Sequence, residues 1–188
     1  MTWRPARPLT FVAVVAILGP GVLVAACRGP LRTDRRVPSC ADLAEALPRA
    51  VAGSWTLDRA EPNRAVSKSV VGCEFDFRSA DQEYQGTIVV DISADRDGAV
   101  LRKKATDGPC YGTAVTQSDG AHYDVARSCL QRLNGKAFVG MFVASDGRYA
   151  HTLTEIGSAT MSQESVAAYA TTSARSIIDR AMTLRASD

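Results

Sequence analysis

Two histidines, His122 and His151, are the side chains of this sequence best suited to proton transfer near neutral pH. A general base of this kind needs a nucleophile and an orienting acid within hydrogen-bond reach. Neither histidine belongs to a G-x-S-x-G, H-E-x-x-H or S-x-x-K motif. We therefore predict a protein that is not an enzyme, and a hydrolase using His151 or His122 is the alternative.

Metal and cofactor chemistry has little support in the sequence. Asp95, Asp97 and Gly98 form a DRDG segment that begins like a calcium loop, but the later ligands of such a loop are missing. We interpret this segment as a turn. Close cysteine or histidine pairs and a G-x-G-x-x-G loop are also missing from the sequence, which predicts neither a metal site nor a cofactor.

Cysteine is the other residue type with chemical potential, and the chain has five. If Cys27 is modified, as its position suggests below, four remain. An even number of cysteines in an exported protein indicates two disulfides, for which the sequence allows three pairings. The four candidates are Cys40, Cys73, Cys110 and Cys129.

One pairing is favoured by a hairpin that the sequence predicts. Asp119-Gly120 is a preferred pair for a two-residue turn, and residues 111–118 and 121–128 flank it as strands. With that turn, Cys110 and Cys129 are directly opposed across the ladder, at a separation that a disulfide can span. Cys40 and Cys73 then pair by elimination.

The N-terminal 26 residues have the three parts of an export signal. Arg4 and Arg7 supply the positive charge, and an apolar run over 9–18 follows, too short for a membrane span. The run is broken at Gly19-Pro20-Gly21 and resumes at Val22-Leu23. It ends in Leu-Val-Ala-Ala directly before Cys27, which resembles the lipobox of bacterial lipoproteins. The resemblance implies that residues 1–26 are cleaved and that Cys27 carries a diacylglyceryl group and further acyl chains such as palmitate. It thereby implies a protein anchored on the extracytoplasmic face of the cell membrane.

Residues 27–38 are predicted to be a flexible tether, since glycine and proline discourage regular structure and four arginines make the segment polar.

The chain holds 22 basic and 20 acidic residues, and removal of Arg4 and Arg7 leaves equal numbers. A neutral mature chain gives no support to nucleic-acid binding. Residues 39–188 have the length of one domain.

The pattern of residues 39–188 predicts an α+β domain. Helices are expected at both ends, the first from Ser39 and the last capped by Thr160, with a short helix over 98–105. Alternating strands over 71–77 and 86–93 and four more in a β-meander give an antiparallel sheet of about six strands. Residues 58–68 are polar and read as a loop. Four aromatic or imidazole side chains are candidates for a ligand groove in this domain, namely Trp55, Tyr84, Tyr149 and His151.

Two segments carry a family resemblance. A lipobox followed by Cys40 at a helix start (SCADLAEAL) and Cys73 in a strand (GCEFDF) resembles small secreted lipoproteins of actinobacteria, a class of domains of unknown function. Phe75 stands where that class usually has tryptophan. The segment 129–145 is similar to the extracellular sensor domain of mycobacterial Ser/Thr kinases and its lipoprotein relatives. Neither resemblance implies catalytic residues.

These observations together predict a cell-envelope lipoprotein with a non-catalytic binding or interaction domain. Its partners are the membrane, through the lipid, and an envelope protein or a small hydrophobic ligand. A carrier that holds lipid between the sheet and the C-terminal helix is a further alternative to the hydrolase.

Overall fold

The computed structural model describes residues 36–61, 69–115, 122–145 and 147–187. The predicted signal peptide, Cys27, most of the predicted tether and the predicted Asp119-Gly120 turn lie outside the described residues. The elements are α1 (Cys40–Ala46) with a 3₁₀ turn (Leu47–Arg49), β1 (Gly53–Glu61), β2 (Val70–Ser79), β3 (Gln85–Ala94), α2 (Gly98–Asp107), β4 (Thr113–Val115), β5 (Val125–Leu133), β6 (Lys136–Ser145), β7 (Arg148–Gly157) and α3 (Gln163–Thr183).

The strands form one antiparallel sheet in the order β1-β2-β3-β7-β6-β5-β4. The α+β class is confirmed, with seven strands rather than six. Two meanders, β1–β3 and β4–β7, are connected through α2. Their last strands, β3 and β7, pair with each other from Gln85↔Gly157 to Ala94↔Arg148. Asn134 and Gly135 both have positive φ, 46° and 77°, as the predicted two-residue turn between β5 and β6 requires.

Strand β1 is the one that the sequence did not reveal. Residues 58–61, predicted as loop, pair with β2 through Arg59↔Glu74 to Glu61↔Gly72, after a bulge that follows Leu57. Most β1 side chains are exposed on both faces, so the strand has no apolar alternation. Its backbone pairing with β2 holds it in place, and that pairing leaves no trace in the residue pattern.

One face of the sheet, here called the core face, packs against α3 and α1. Its buried side chains include Phe75, Ile88 and Met141, and they meet an apolar stripe of α3. That stripe, which contains Ile177 and Ile178, is fully buried. The helix begins two residues later than predicted, because the hydroxyl that accepts the Ser165 N–H belongs to Ser162 and not to Thr160.

Helix α1 starts as the sequence predicts. Ser39 Oγ accepts the Asp42 N–H at 3.0 Å, and the Asp42 carboxylate accepts the Ser39 N–H at 2.6 Å. This reciprocal capping box fixes the entry of the chain into the domain. Val37, assigned to the tether by sequence, is 1% exposed in the core, so the domain begins before residue 39. The span Arg35–Asp188 forms a compact unit by itself.

The opposite face, here called the outer face, is covered by α2 over one half only. Leu101 and Ala105 of α2 pack on Phe142, Ala144 and Tyr149 in a second, smaller core. The guanidinium of Arg127 donates to the carbonyl oxygens of Thr106 and Gly108, at the end of α2. α2 is therefore fixed over β5, β6 and β7, and the other half of the face is left open.

Both predicted disulfide pairings are present, although the reason given for one of them was wrong. Cys40 and Cys73 have Cα atoms 5.5 Å apart, and Cys110 and Cys129 have theirs 5.6 Å apart. In the β4–β5 ladder, however, Cys129 is opposed to Ala114 and not to Cys110. β4 has only three residues, and Gly112, with φ 88°, turns the chain before it, so Cys110 reaches its partner from outside the ladder.

Among the described residues no helix is long and apolar enough to cross a membrane.

Candidate ligand-binding groove

The open half of the outer face contains a concave depression, here called the groove, with a volume of about 690 Å³. It is lined by strand residues at the ends of β1, β2, β3 and β7 and by the turn before β6. Hydroxyl, amide, carboxylate and cationic side chains all contribute to its wall. The side chains that matter most below are Thr56, Asp76, Arg78, Thr87, Lys136 and Glu155.

The register of the sheet explains why these side chains meet. Thr56 is opposed to Asp76, Asp76 to Thr87, and Thr87 to Glu155, so one row of outward-facing residues crosses four strands. Gly86 lies beside this row, and a Cβ there would collide with the carbonyl oxygen of Glu155. The glycine therefore lets β3 and β7 approach closely beneath the groove.

The charges in the groove are balanced. Lys136 Nζ lies 2.5 Å from Glu155 Oε1, and the Arg78 guanidinium donates to the Gln85 side-chain oxygen at 3.2 Å. Asp76 is exposed and completes the set of two acids and two bases. A ligand in this groove meets hydrogen-bonding groups of both kinds without a net field of either sign.

A carboxylate–imidazole pair lies on the same face, further along β3 and β7. His151 Nδ1 is 3.2 Å from Asp91 Oδ2, and the two residues are directly opposed in the β3–β7 ladder. A carboxylate accepts, so the ring donates its Nδ1 proton, and in the neutral imidazole this leaves Nε2 as an acceptor. The His151 side chain is 17% exposed, and no group of the described residues hydrogen-bonds to Nε2.

Phe142 of β6 contacts the imidazole from the other side. His151 stacks on Phe142 with ring centroids 4.4 Å apart, and the guanidinium of Arg127 lies over the same phenyl ring at 5.3 Å. Tyr149, two residues away on the same face, is buried beneath Lys104 of α2. Burial raises the pKa of Tyr149 to about 12, to which the charge of Asp91 adds while that of Arg127 opposes it.

The four residues predicted to line a ligand groove do not come together. Trp55 packs on Phe77 of the core face, and Tyr84 stacks on Tyr169 of α3 at 3.9 Å. Tyr149 and His151 point to the outer face instead, because β7 side chains alternate between the two faces. The aromatic side chains are largely core residues, and the groove is polar.

The remaining candidates have structural surroundings. His122 is exposed in the turn before β5. Asp97 caps α2, since its Oδ1 accepts the Ala99 N–H at 2.9 Å, and Asp95 accepts the Asp97 N–H, so the DRDG segment is a turn as predicted. Within the described ranges no three His, Cys, Asp or Glu side chains are grouped as a metal site requires.

Asp91 and the groove residues were missed by sequence reasoning. Asp91 is 60 residues from His151 in the chain, and only the β3–β7 pairing brings them together. Thr87 and Asp91 do alternate with buried residues, which marks them as outward-facing, but the same pattern fits any solvated strand.

Comparison with protein-family models, with curated proteins and with solved structures gave no match to this chain.

Proposed function

We propose that this chain is a lipid-anchored protein of the bacterial cell envelope, whose domain binds a polar ligand in the groove. The observation that carries the proposal is the half-covered outer face. α2 covers the sheet over β5–β7, whereas the polar end of β1–β3 and β7 is concave and open. The hydroxyl, carboxylate and cationic side chains in its wall favour a ligand that forms hydrogen bonds over the hydrophobic one that a lipid carrier would hold.

The anchor is supported by the use of the cysteines. Two disulfides occupy four of the five, which fits an oxidising compartment outside the cytoplasm and leaves Cys27 for lipid. The resemblance to secreted actinobacterial lipoproteins supports the same location.

The ends of the described chain lie apart from the groove. Cys40, the first residue of α1, is bonded to Cys73 of β2, and Ser187 hydrogen-bonds Asp42 of the same helix. Along β2 the groove begins at Asp76, three residues beyond Cys73, which at about 3.3 Å per residue is about 10 Å away. Neither end of the described chain therefore lines the groove.

The groove is tested with two matched variants of β1. Thr56→Arg places a long cation in the groove. Ala60→Arg introduces the same side chain at an exposed position of the same strand, outside the groove. Residues 36–188 are mixed with a lipid-extracted cell-envelope fraction of a high-GC actinobacterium and sedimented. We expect wild type and Ala60→Arg to bind and Thr56→Arg to bind at least about tenfold more weakly, the effect of losing one or two hydrogen bonds. Equal binding by both variants would contradict the proposal.

The anchor is tested by labelling with radioactive palmitate in an actinobacterial host. The wild-type chain should be labelled and Cys27→Ala should not. Equal labelling of the two chains would exclude the lipobox.

The Asp91–His151 pair favours one second candidate, an ester hydrolase. In that reaction Nε2 takes a proton from a water molecule that attacks the ester carbonyl, Asp91 stabilises the imidazolium, and the proton leaves on the departing alcohol. Hydrolysis of p-nitrophenyl acetate by the wild type and by His151→Gln tests this candidate. A wild-type rate equal to the rate of the variant would exclude it.

A further inference from the structure

We infer that the polar ligand is a neutral saccharide chain, which extends from the groove along β3 and β7 to His151. This inference rests on the proposed function and specifies its ligand. It uses three features of the outer face that lie side by side: the groove, an apolar strip formed by Val89 and Leu153, and the Asp91–His151 pair.

The groove has the charge and the hydrogen-bonding capacity that a neutral polyol requires. Its two acids and two bases balance, so neither a polyanion nor a polycation gains from a net field. Sugar hydroxyls both donate and accept. They are matched by the carboxylates of Asp76 and Glu155 as acceptors and by the hydroxyls of Thr56 and Thr87 as groups that do both.

The apolar strip lies directly beyond the groove. Val89 and Leu153 are opposed in the β3–β7 ladder, half-buried, and they point to the outer face between Thr87 and Asp91. Leu153 is opposed in β6 to Gly140, which is buried beside the ring of Phe142, so the apolar strip borders that ring. The C–H face of a sugar ring is apolar and gains free energy when it covers such a strip.

The Asp91–His151 pair, at the end of this surface away from the groove, supplies a hydrogen-bond acceptor of fixed direction. When the imidazole is neutral and Nδ1 donates to Asp91, Nε2 of His151 accepts a hydrogen bond from a ligand hydroxyl. The stacking on Phe142 fixes the ring plane before a ligand arrives. From Thr87 to Asp91 the strand extends about 13 Å, so the surface as a whole fits an oligomeric ligand rather than a single small molecule.

The ligand class is tested on the envelope fraction that binds in the groove experiment above. One sample is treated with periodate, which cleaves the carbon–carbon bond between neighbouring hydroxyls, and another with proteinase K followed by washing. We expect periodate to abolish sedimentation of the wild-type domain and protease treatment to leave it unchanged. Loss after protease but not after periodate would overturn the saccharide and leave the groove function in place. Absence of binding to untreated envelope would instead remove the proposed function itself.

The role of His151 is tested with two substitutions. His151→Phe keeps a flat ring on Phe142 but removes the acceptor, and we expect binding to weaken about threefold to tenfold. His151→Gln, which retains a side-chain carbonyl oxygen as acceptor, should recover part of that loss. Far-UV circular dichroism and the urea midpoint verify that both variants are folded. Wild-type affinity in His151→Phe would overturn the extension of the ligand to this pair.

Discussion

Arg148, the first residue of β7, holds the C-terminal end of α3, and its replacement by methionine should destabilise the domain. Its Nη1 lies 3.3, 3.0 and 2.7 Å from the carbonyl oxygens of Ala181, Met182 and Leu184. The last carbonyls of a helix have no partner within it and carry the negative end of its dipole. Arg148→Met keeps much of the side-chain length and removes both the donor and the charge.

The size of the effect follows from these contacts. A hydrogen bond from a charged donor contributes about 1.5–3 kcal/mol, and the two shorter contacts of Arg148 have ordinary hydrogen-bond lengths. Burial lowers the pKa of Arg148, which shows that desolvation offsets part of this gain. We expect a loss of about 2–4 kcal/mol in the free energy of unfolding. For a domain of this size the loss corresponds to a decrease in Tm of roughly 5–15 °C.

Urea unfolding of residues 36–188, followed by far-UV circular dichroism at pH 7, measures this loss. Arg59→Met is the matched control, since Arg59 is 62% exposed and forms a surface ion pair with Glu74. Such pairs are screened by solvent, so the control should unfold at the wild-type midpoint. The cap would be refuted if Arg148→Met stayed within about 0.5 kcal/mol of the wild type, the range of ordinary surface substitutions.

Three further predictions concern stability. Replacement of Cys40 and Cys73 by alanine opens a loop of sequence separation 33. The free energy of unfolding, measured with urea, should decrease by about 3.7 kcal/mol according to the loop-entropy relation. A decrease below about 1 kcal/mol would contradict this prediction. Ile177→Ala, at a fully buried position, should cost about 2–5 kcal/mol in the same assay, whereas Val100→Ala, at a 52% exposed position, should cost little. The pKa of Tyr149 is about 12 in the folded protein and about 10 in the unfolded chain. The unfolded chain therefore loses the phenol proton at lower pH, and the free energy of unfolding should fall between about pH 10 and about pH 12. Tyr149→Phe should flatten that fall, and an unchanged pH profile would show that Tyr149 is not its source.

The sequence predicted the parts of the fold whose residues carry a strong local signal. β6 is almost wholly buried, β7 alternates for most of its length between buried and partly buried positions, and α3 carries a continuous apolar stripe. β1 was missed because its identity depends on backbone pairing with β2. The residue that reaches the last carbonyls of α3 is Arg148, on a strand, and no local pattern in the sequence indicates that contact.

The candidate site was harder to predict for a physical reason. The groove is assembled from residues of separate strands, and its members are polar side chains that also occur on any solvated face. His151 was identified as a candidate from its residue type, and its ring stacks on Phe142. Its partner Asp91 could not be identified, because no local pattern specifies which strand of the first meander meets β7.

The contact between β3 and β7 also determines how the chain can fold. Each meander is built from neighbouring hairpins and closes short loops, whereas β3 and β7 join residues as distant as Asp91 and His151, 60 positions apart. Long-range pairing of this kind is slow relative to hairpin formation, so we expect docking of the two meanders to limit the folding rate. Until they dock, both strands expose unpaired edges that carry Ile88, Val90 and Ile156, and intermolecular pairing then competes with folding. The extent of aggregation during folding consequently depends on how fast β3 and β7 pair with each other.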